Sequence, residues 1–212
     1  PDRVSQHMRV KICGLTRSGD AAAAVAAGAW AIGVVLSPVG PRALDISRAA
    51  AVFAEAPDSV ERVGVFVSPG REDLERAASQ LPLTRVQIHG ELEESARSGI
   101  GLPIIRARSF ESAADLDALR PAEGELTLLD SIGPGGVGGT GQVLDWQTLG
   151  RAAPSWPYVL AGGLDPENVS AAVTATTPYA VDVSSGVERE PGIKDHEKMT
   201  SFIANAQMGS RQ

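Results

Sequence analysis

Short apolar stretches rich in Val, Ile and Leu recur eight times along this chain, and each is followed by a stretch of helical composition. The apolar stretches are Met8–Cys13, Trp30–Leu36, Arg62–Val67, Thr84–His89, Pro103–Ala107, Leu126–Asp130, Tyr158–Ala161 and Tyr179–Val183. The helical ones are Asp20–Ala27, Ile46–Glu55, Arg71–Gln80, Leu92–Ser98, Glu111–Leu119, Trp146–Arg151, Pro166–Val173 and Lys194–Ala206. A helix after each strand carries the chain back to the starting edge, so successive strands run parallel in βαβ units. Eight units of about 25 residues use up the chain and leave nothing for a second domain. The expected fold class is α/β, a single-domain (β/α)8 TIM barrel over residues 8–207. A doubly wound sheet would have fewer strands and a Gly-rich turn after the first one. Here that turn is Cys13-Gly14-Leu15-Thr16-Arg17, which is no dinucleotide fingerprint. Residues 1–7 read as a polar extension, disordered or foreign to the natural chain, with Met8 a candidate start; residues 208–212 read as a C-terminal tail.

Composition narrows the partners. With 19 Lys and Arg against 26 Asp and Glu, the net charge of -7 leaves no basic face for nucleic acid or an anionic membrane. No apolar run reaches the length of a membrane span, and the first residues lack the apolar stretch of a signal peptide. Cys13 is the only cysteine, so no internal disulfide is available, and the expected setting is a reducing cytoplasm. No cluster of His, Asp and Glu has metal-ligand spacing, so no metal is expected.

In a barrel of this kind the chemistry sits at the C-terminal ends of the strands. Cys13 closes the first strand there, as a buried apolar group or a reactive one. Gly162-Gly163-Leu164-Asp165 follows strand 7, and Ser184-Ser185-Gly186 follows strand 8. Small residues let backbone N–H groups approach a ligand, and loops 7 and 8 are the usual phosphate site of such barrels. Asp130 closes strand 6, where partial desolvation suits a carboxyl to give or take a proton. The glycine-rich stretch Gly133–Gly141 behind it has the composition of a mobile cover. Arg42, in a loop stiffened by Pro38 and Pro41, suits bidentate capture of a carboxylate, although judged alone a surface arginine is the more ordinary reading. His89 closes strand 4, as a base or as a donor to a neighbouring loop.

Period-two alternation adds one pairing. If Val10, Ile12, Val181 and Val183 face the helices, then Lys11, Cys13 and Asp182 face inward. Strands 8 and 1 are neighbours in a closed barrel, and an isolated buried charge is costly, so Lys11 and Asp182 are expected to pair.

Taken in order, several motifs resemble those of the phosphoribosylanthranilate isomerase family of tryptophan biosynthesis. They are Lys11–Arg17, Gln87–Gly90, Leu129-Asp130-Ser131, Gly138–Gly141 with Asp145-Trp146, Ala161–Leu164 with Pro166–Val169, and Asp182–Glu188 with Pro191-Gly192 and Lys194-Asp195. The resemblance runs from about Arg9 to Ile203. It implies a monofunctional barrel that performs an Amadori rearrangement: N-(5-phosphoribosyl)anthranilate becomes 1-(2-carboxyphenylamino)-1-deoxyribulose 5-phosphate. It implies Cys13 as general base, Asp130 as general acid and Arg42 for the anthranilate carboxylate, with His89, Asp182, Gly162, Gly163, Ser184, Ser185 and Gly186 as substrate contacts. Gly40 stands where the family's Ser-Pro-Arg motif has serine, and Leu144 where phenylalanine is frequent. No organic cofactor is implied, because the substrate nitrogen supplies the electron sink. The partner is a small phosphorylated substrate, and the chain is a monomer or homodimer. Two rivals stand beside this reading. One is another phosphosugar barrel, such as a ribulose-phosphate epimerase or a histidine-pathway isomerase, the latter ending strand 1 in aspartate rather than Cys13. The other is a non-catalytic phosphate binder, which would need neither Cys13 nor Asp130.

Overall fold

The computed structural model describes residues 7–38, 40–130 and 145–211. Eight parallel strands close into a barrel in sequential order: β1 (Arg9–Ile12), β2 (Ala31–Val35), β3 (Glu61–Val67), β4 (Arg85–His89), β5 (Ile104–Ser109), β6 (Glu125–Asp130), β7 (Tyr158–Leu160) and β8 (Ala180–Val183). β8 closes on β1 with Val10 opposite Val181 and Lys11 opposite Asp182. The helices are α1 (Ser18–Ala26), α2 (Ile46–Phe53), α3 (Arg71–Gln80), α4 (Glu94–Gly99), α5 (Leu116–Leu119), α6 (Trp146–Ala152), α7 (Val169–Thr176) and α8 (His196–Gly209). Closure leaves the eight-stranded barrel sheet without an unpaired edge among the described residues. None of the helices among the described residues is long and apolar enough to cross a membrane.

The expected alternation holds on every strand that can be checked against the core. Val10, Ile12, Ile32, Val34, Val86, Ile88, Leu129, Leu160, Val181 and Val183 belong to the apolar layer between barrel and helices. Inside the barrel, Ile105, Ala107, Leu128, Val159, Ala161 and Ala180 pack on one side, and Cys13, Ala31, Val63 and Val65 on the other. Burying each large aliphatic side chain contributes about 1.5–3 kcal/mol.

Helix starts follow their caps. Asp45 accepts from Arg48 N at 2.8 Å at the head of α2, and Asp145 accepts from Thr148 N at 3.0 Å at the head of α6. Asp165 accepts from the N–H groups of Glu167 and Asn168, each at 2.9 Å. It therefore organises a turn over 165–168, and α7 begins at Val169 rather than at Pro166.

Three stretches differ from expectation. The segment 111–119 is a single 3-10 turn (Ala113–Asp115) running into the one-turn α5, because none of its residues is buried. A small antiparallel hairpin, β9 (Glu188–Glu190) with β10 (Ile193–Lys194), precedes the last helix and takes in Lys194, the residue expected to start it. Asp195 then caps α8 by accepting from Glu197 N and Lys198 N. The end of α8 lies past residue 207: it continues to Gly209, where the missing side chain lets it approach α7, since a Cβ there would sit 2.5 Å from Ser170 O.

Candidate active site

At the C-terminal mouth of the barrel the described residues enclose a cavity of about 260 Å³. Cys13, Arg42, His89, Asp130, Gly162, Gly163, Asp182, Ser184, Ser185 and Gly186 all line it. The structure thus brings every sequence-predicted site residue to one wall or another of a single cleft. The Gly133–Gly141 stretch and Leu144 lie outside the described residues.

Each side chain is placed by its element. Strand β1 formally ends at Ile12, but Cys13 N still donates to Val183 O at 2.8 Å, which fixes the thiol on the inner face. Asp130 is the last residue of β6 and is 7% exposed. His89 ends β4 and lies 3.0 Å from Gln87 Nε2 through its own Nε2. With the amide donating, the neutral ring carries its proton on Nδ1. Burial, and next the Lys11 ammonium, hold the His89 pKa below the usual histidine range, so the ring is neutral at pH 7.

Beneath the thiol lies the ion pair expected from the strand pattern. Lys11 Nζ donates to Asp182 Oδ1 at 2.9 Å, with the lysine side chain wholly buried and the aspartate 8% exposed. Burial works against the Lys11 ammonium, yet Asp182 and Cys13 together hold its pKa above the ordinary lysine value. Gly33 on β2 makes room for this cluster: a Cβ there would sit 3.1 Å from Lys11 Cε and 3.2 Å from Cys13 Sγ. For Cys13 itself, burial raises the thiol pKa, Lys11 pulls it down and Asp182 pushes it up again. The net direction is upward, so the resting side chain is a neutral thiol at pH 7.

Gly162 and Gly163 have φ of +86° and +65°, a backbone form that side chains disfavour. Asn168 holds this turn by donating from Nδ2 to Gly163 O at 2.8 Å, while its Oδ1 accepts from Asp165 N at 2.9 Å. Loop 8 packs directly against loop 7, since a Cβ on Gly186 would lie 1.9 Å from Leu164 O. In the strand order β6-β7-β8-β1, both loops lie between Asp130 and Cys13.

Arg42 reaches the cavity across Gly14, where a Cβ would meet its Cδ at 2.6 Å. Its Nε and Nη2 donate to the two carboxylate oxygens of Glu188 at 2.8 and 2.7 Å. Lys194 Nζ donates to the same carboxylate at 2.9 Å and to Ser184 O at 3.0 Å. Sequence reasoning placed Glu188 and Lys194 in motifs without giving either a task. Their pairing depends on the short hairpin, whose charged residues carry no periodic signal. Among the described residues, no group of three or more His, Cys, Asp or Glu is placed to hold a metal ion.

Comparison with known proteins agrees over almost the whole chain. A family model described as N-(5'phosphoribosyl)anthranilate (PRA) isomerase matches residues 10–205. An N-(5'-phosphoribosyl)anthranilate isomerase of Acidithiobacillus ferrooxidans is 46% identical, over 93% of this chain and 96% of the relative. The phosphoribosyl anthranilate isomerase of Thermotoga maritima superposes with a TM-score of 0.84 at 38% identity, covering 94% of this chain and 98% of that one. A phosphoribosyl anthranilate isomerase solved with reduced 1-(o-carboxyphenylamino)-1-deoxyribulose 5-phosphate superposes with a TM-score of 0.80 at 36% identity, with the same coverage.

Proposed function

The chain belongs to the N-(5'-phosphoribosyl)anthranilate isomerase family, an isomerase of tryptophan biosynthesis, and from that premise we propose how its own residues carry the reaction. The substrate phosphate rests on the loops after β7 and β8, against Gly162, Gly163, Ser184, Ser185 and Gly186. Arg42 takes the anthranilate carboxylate. Asp182 and His89 face the ribose between these two anchors. Tethering both ends turns proton transfer into an effectively intramolecular step.

Asp130, protonated, donates to the furanose ring oxygen. The C1′–O bond breaks as the anthranilate nitrogen pushes its lone pair toward C1′, and an open-chain iminium forms. Cys13, as thiolate, takes the C2′ proton, and the released electron pair neutralises the iminium to an enolamine. Tautomerisation then gives 1-(2-carboxyphenylamino)-1-deoxyribulose 5-phosphate. No outside oxidant, metal or organic cofactor enters the balance, because C1′ is reduced as C2′ is oxidised.

What supports this reading is one observation: Cys13 and Asp130 line the same cavity with loops 7 and 8 between them. A ribose tethered at those loops meets a carboxyl on one side and a thiol on the other. The raised Cys13 pKa means that the base must first lose its proton, and Lys11 is the charge that favours this. The proposed setting is the cytoplasm, as a monomer or homodimer. A Thermotoga maritima relative described as dimeric makes the second state a reasonable one.

The test is turnover of N-(5-phosphoribosyl)anthranilate, generated in situ and followed by loss of its fluorescence. Cys13→Ala and Asp130→Ala are each expected to lose about 10²-fold or more in kcat, the usual range for a general acid or base. Either variant turning over near the parent rate with its fold intact removes that residue from the mechanism.

A further inference from the structure

Resting on the isomerase reading above, we propose that Glu188 is a positioning residue that aims Arg42 at the substrate carboxylate. The geometry is that of a two-pronged grip: both carboxylate oxygens of Glu188 accept from Arg42, through Nε and Nη2. Such fork-to-fork pairing fixes the guanidinium plane as well as its position. The grip is itself anchored. Glu188 is 9% exposed, and Lys194, only 1% exposed, bonds to Glu188 Oε1 and to the carbonyl of Ser184 in loop 8. Glu188 and Lys194 face each other across the β9–β10 hairpin. That hairpin also packs on the loop carrying Arg42, since a Cβ on Gly192 would lie 2.7 Å from Pro41 O, and it is tied to the loop after β1 by Thr16 Oγ1 donating to Gly192 O.

The charges fit this role. Arg42 and Lys194 supply two positive charges and Glu188 one negative, so the cluster keeps one net positive charge beside the cavity. A substrate carboxylate completes the balance. Without Glu188 the arginine keeps its charge but loses the partner that fixes its direction, and a flexible side chain loses rotamer freedom on binding.

The experiment compares two substrates on three proteins: the parent, Glu188→Gln and Glu188→Asp. One substrate is N-(5-phosphoribosyl)anthranilate and the other is its carboxylate-free analogue, N-(5-phosphoribosyl)aniline. Glu188→Gln is expected to lose about tenfold in kcat/KM with the anthranilate substrate, mostly through KM. It is expected to stay within about twofold of the parent on the aniline analogue. Glu188→Asp, which keeps the charge on a shorter arm, should recover part of the loss. Equal losses on both substrates, or no loss on either, would overturn the proposal. A parent protein that converts neither substrate would refute the isomerase reading instead.

Discussion

Replacing Lys11 with Met removes the ammonium beneath Cys13 and keeps most of the side-chain volume. The pair it breaks is short and buried, with Nζ 2.9 Å from Asp182 Oδ1 and exposures of 0% and 8%. At an effective dielectric near 20, the Coulomb attraction at that distance is about 6 kcal/mol, much of it offset by desolvation of both ions. Breaking such a pair from one side usually costs about 3–5 kcal/mol, because the other charge is stranded. Asp182 lines the open cavity at the barrel mouth, so the lower end applies, about 3 kcal/mol. For a chain of this size that is a fall in Tm of roughly 6–12 °C. The same change removes the main charge that draws the Cys13 pKa down, while burial and Asp182 continue to push it up. The fluorescence assay should therefore show kcat/KM reduced at neutral pH and its inflexion moved to higher pH. Adding Asp182→Leu should restore stability to within about 1 kcal/mol of the parent, since an apolar pair replaces the ionic one. It should not restore the rate. A Lys11→Met protein with an unchanged Tm, or with an unmoved inflexion, would refute the reasoning.

Gly33→Ala places a methyl against Lys11 and Cys13, at 3.1–3.2 Å from their outer atoms. Turnover should fall by about tenfold or more through displacement of the base, with little loss of Tm, and an unchanged rate would deny the thiol its exact placement. Stability should fall with acid in two steps. His89 has a lowered folded pKa, so the unfolded chain takes up its proton first, and stability is lost as pH falls through about 6.5. Asp20 and Glu188 are both depressed despite burial, Asp20 by Arg17 and His196, and Glu188 by Arg42 and Lys194. Their contribution is full above their unfolded pKa values and is lost as pH falls below about 4. Thermal melts across this range test both steps: His89→Gln should remove the upper one and Glu188→Gln should reduce the lower.

The barrel was legible because each strand is an apolar run long enough to count and each helix separates two of them. Period-two reading went further on β1 and β8, where charged residues stand among valines; it placed Lys11 and Asp182 inside and opposite each other. The strand-end rule then found the other named lining residues, from Cys13 and Arg42 to Ser184, Ser185 and Gly186. Three things escaped it for physical reasons. The β9–β10 hairpin has only three and two residues in its strands, so no pattern can build up, and Lys194 was absorbed into the helix that follows. The short α5 could not be told from a full helix because its composition is helical while only Leu116 and Leu119 touch the core, and neither is fully buried. The grip of Glu188 on Arg42 joins residues 146 positions apart through side chains alone. The direction of the Cys13 pKa was likewise hidden, since it is the balance of burial against two opposed neighbours rather than a property of any motif.

The central claim is that the thiolate of Cys13 is the base. Cys13 is the only thiol in the chain, so its ionisation can be followed directly by thiolate ultraviolet absorbance, with Cys13→Ala as the blank. The same pH series gives kcat/KM, which reports groups of the free enzyme. The thiolate absorbance should have its midpoint above the ordinary thiol value of about 8.5, and because Asp130 must be protonated while Cys13 is ionised, kcat/KM should be bell-shaped with one limb at that midpoint. A kcat/KM profile with no limb at the thiol midpoint would contradict it.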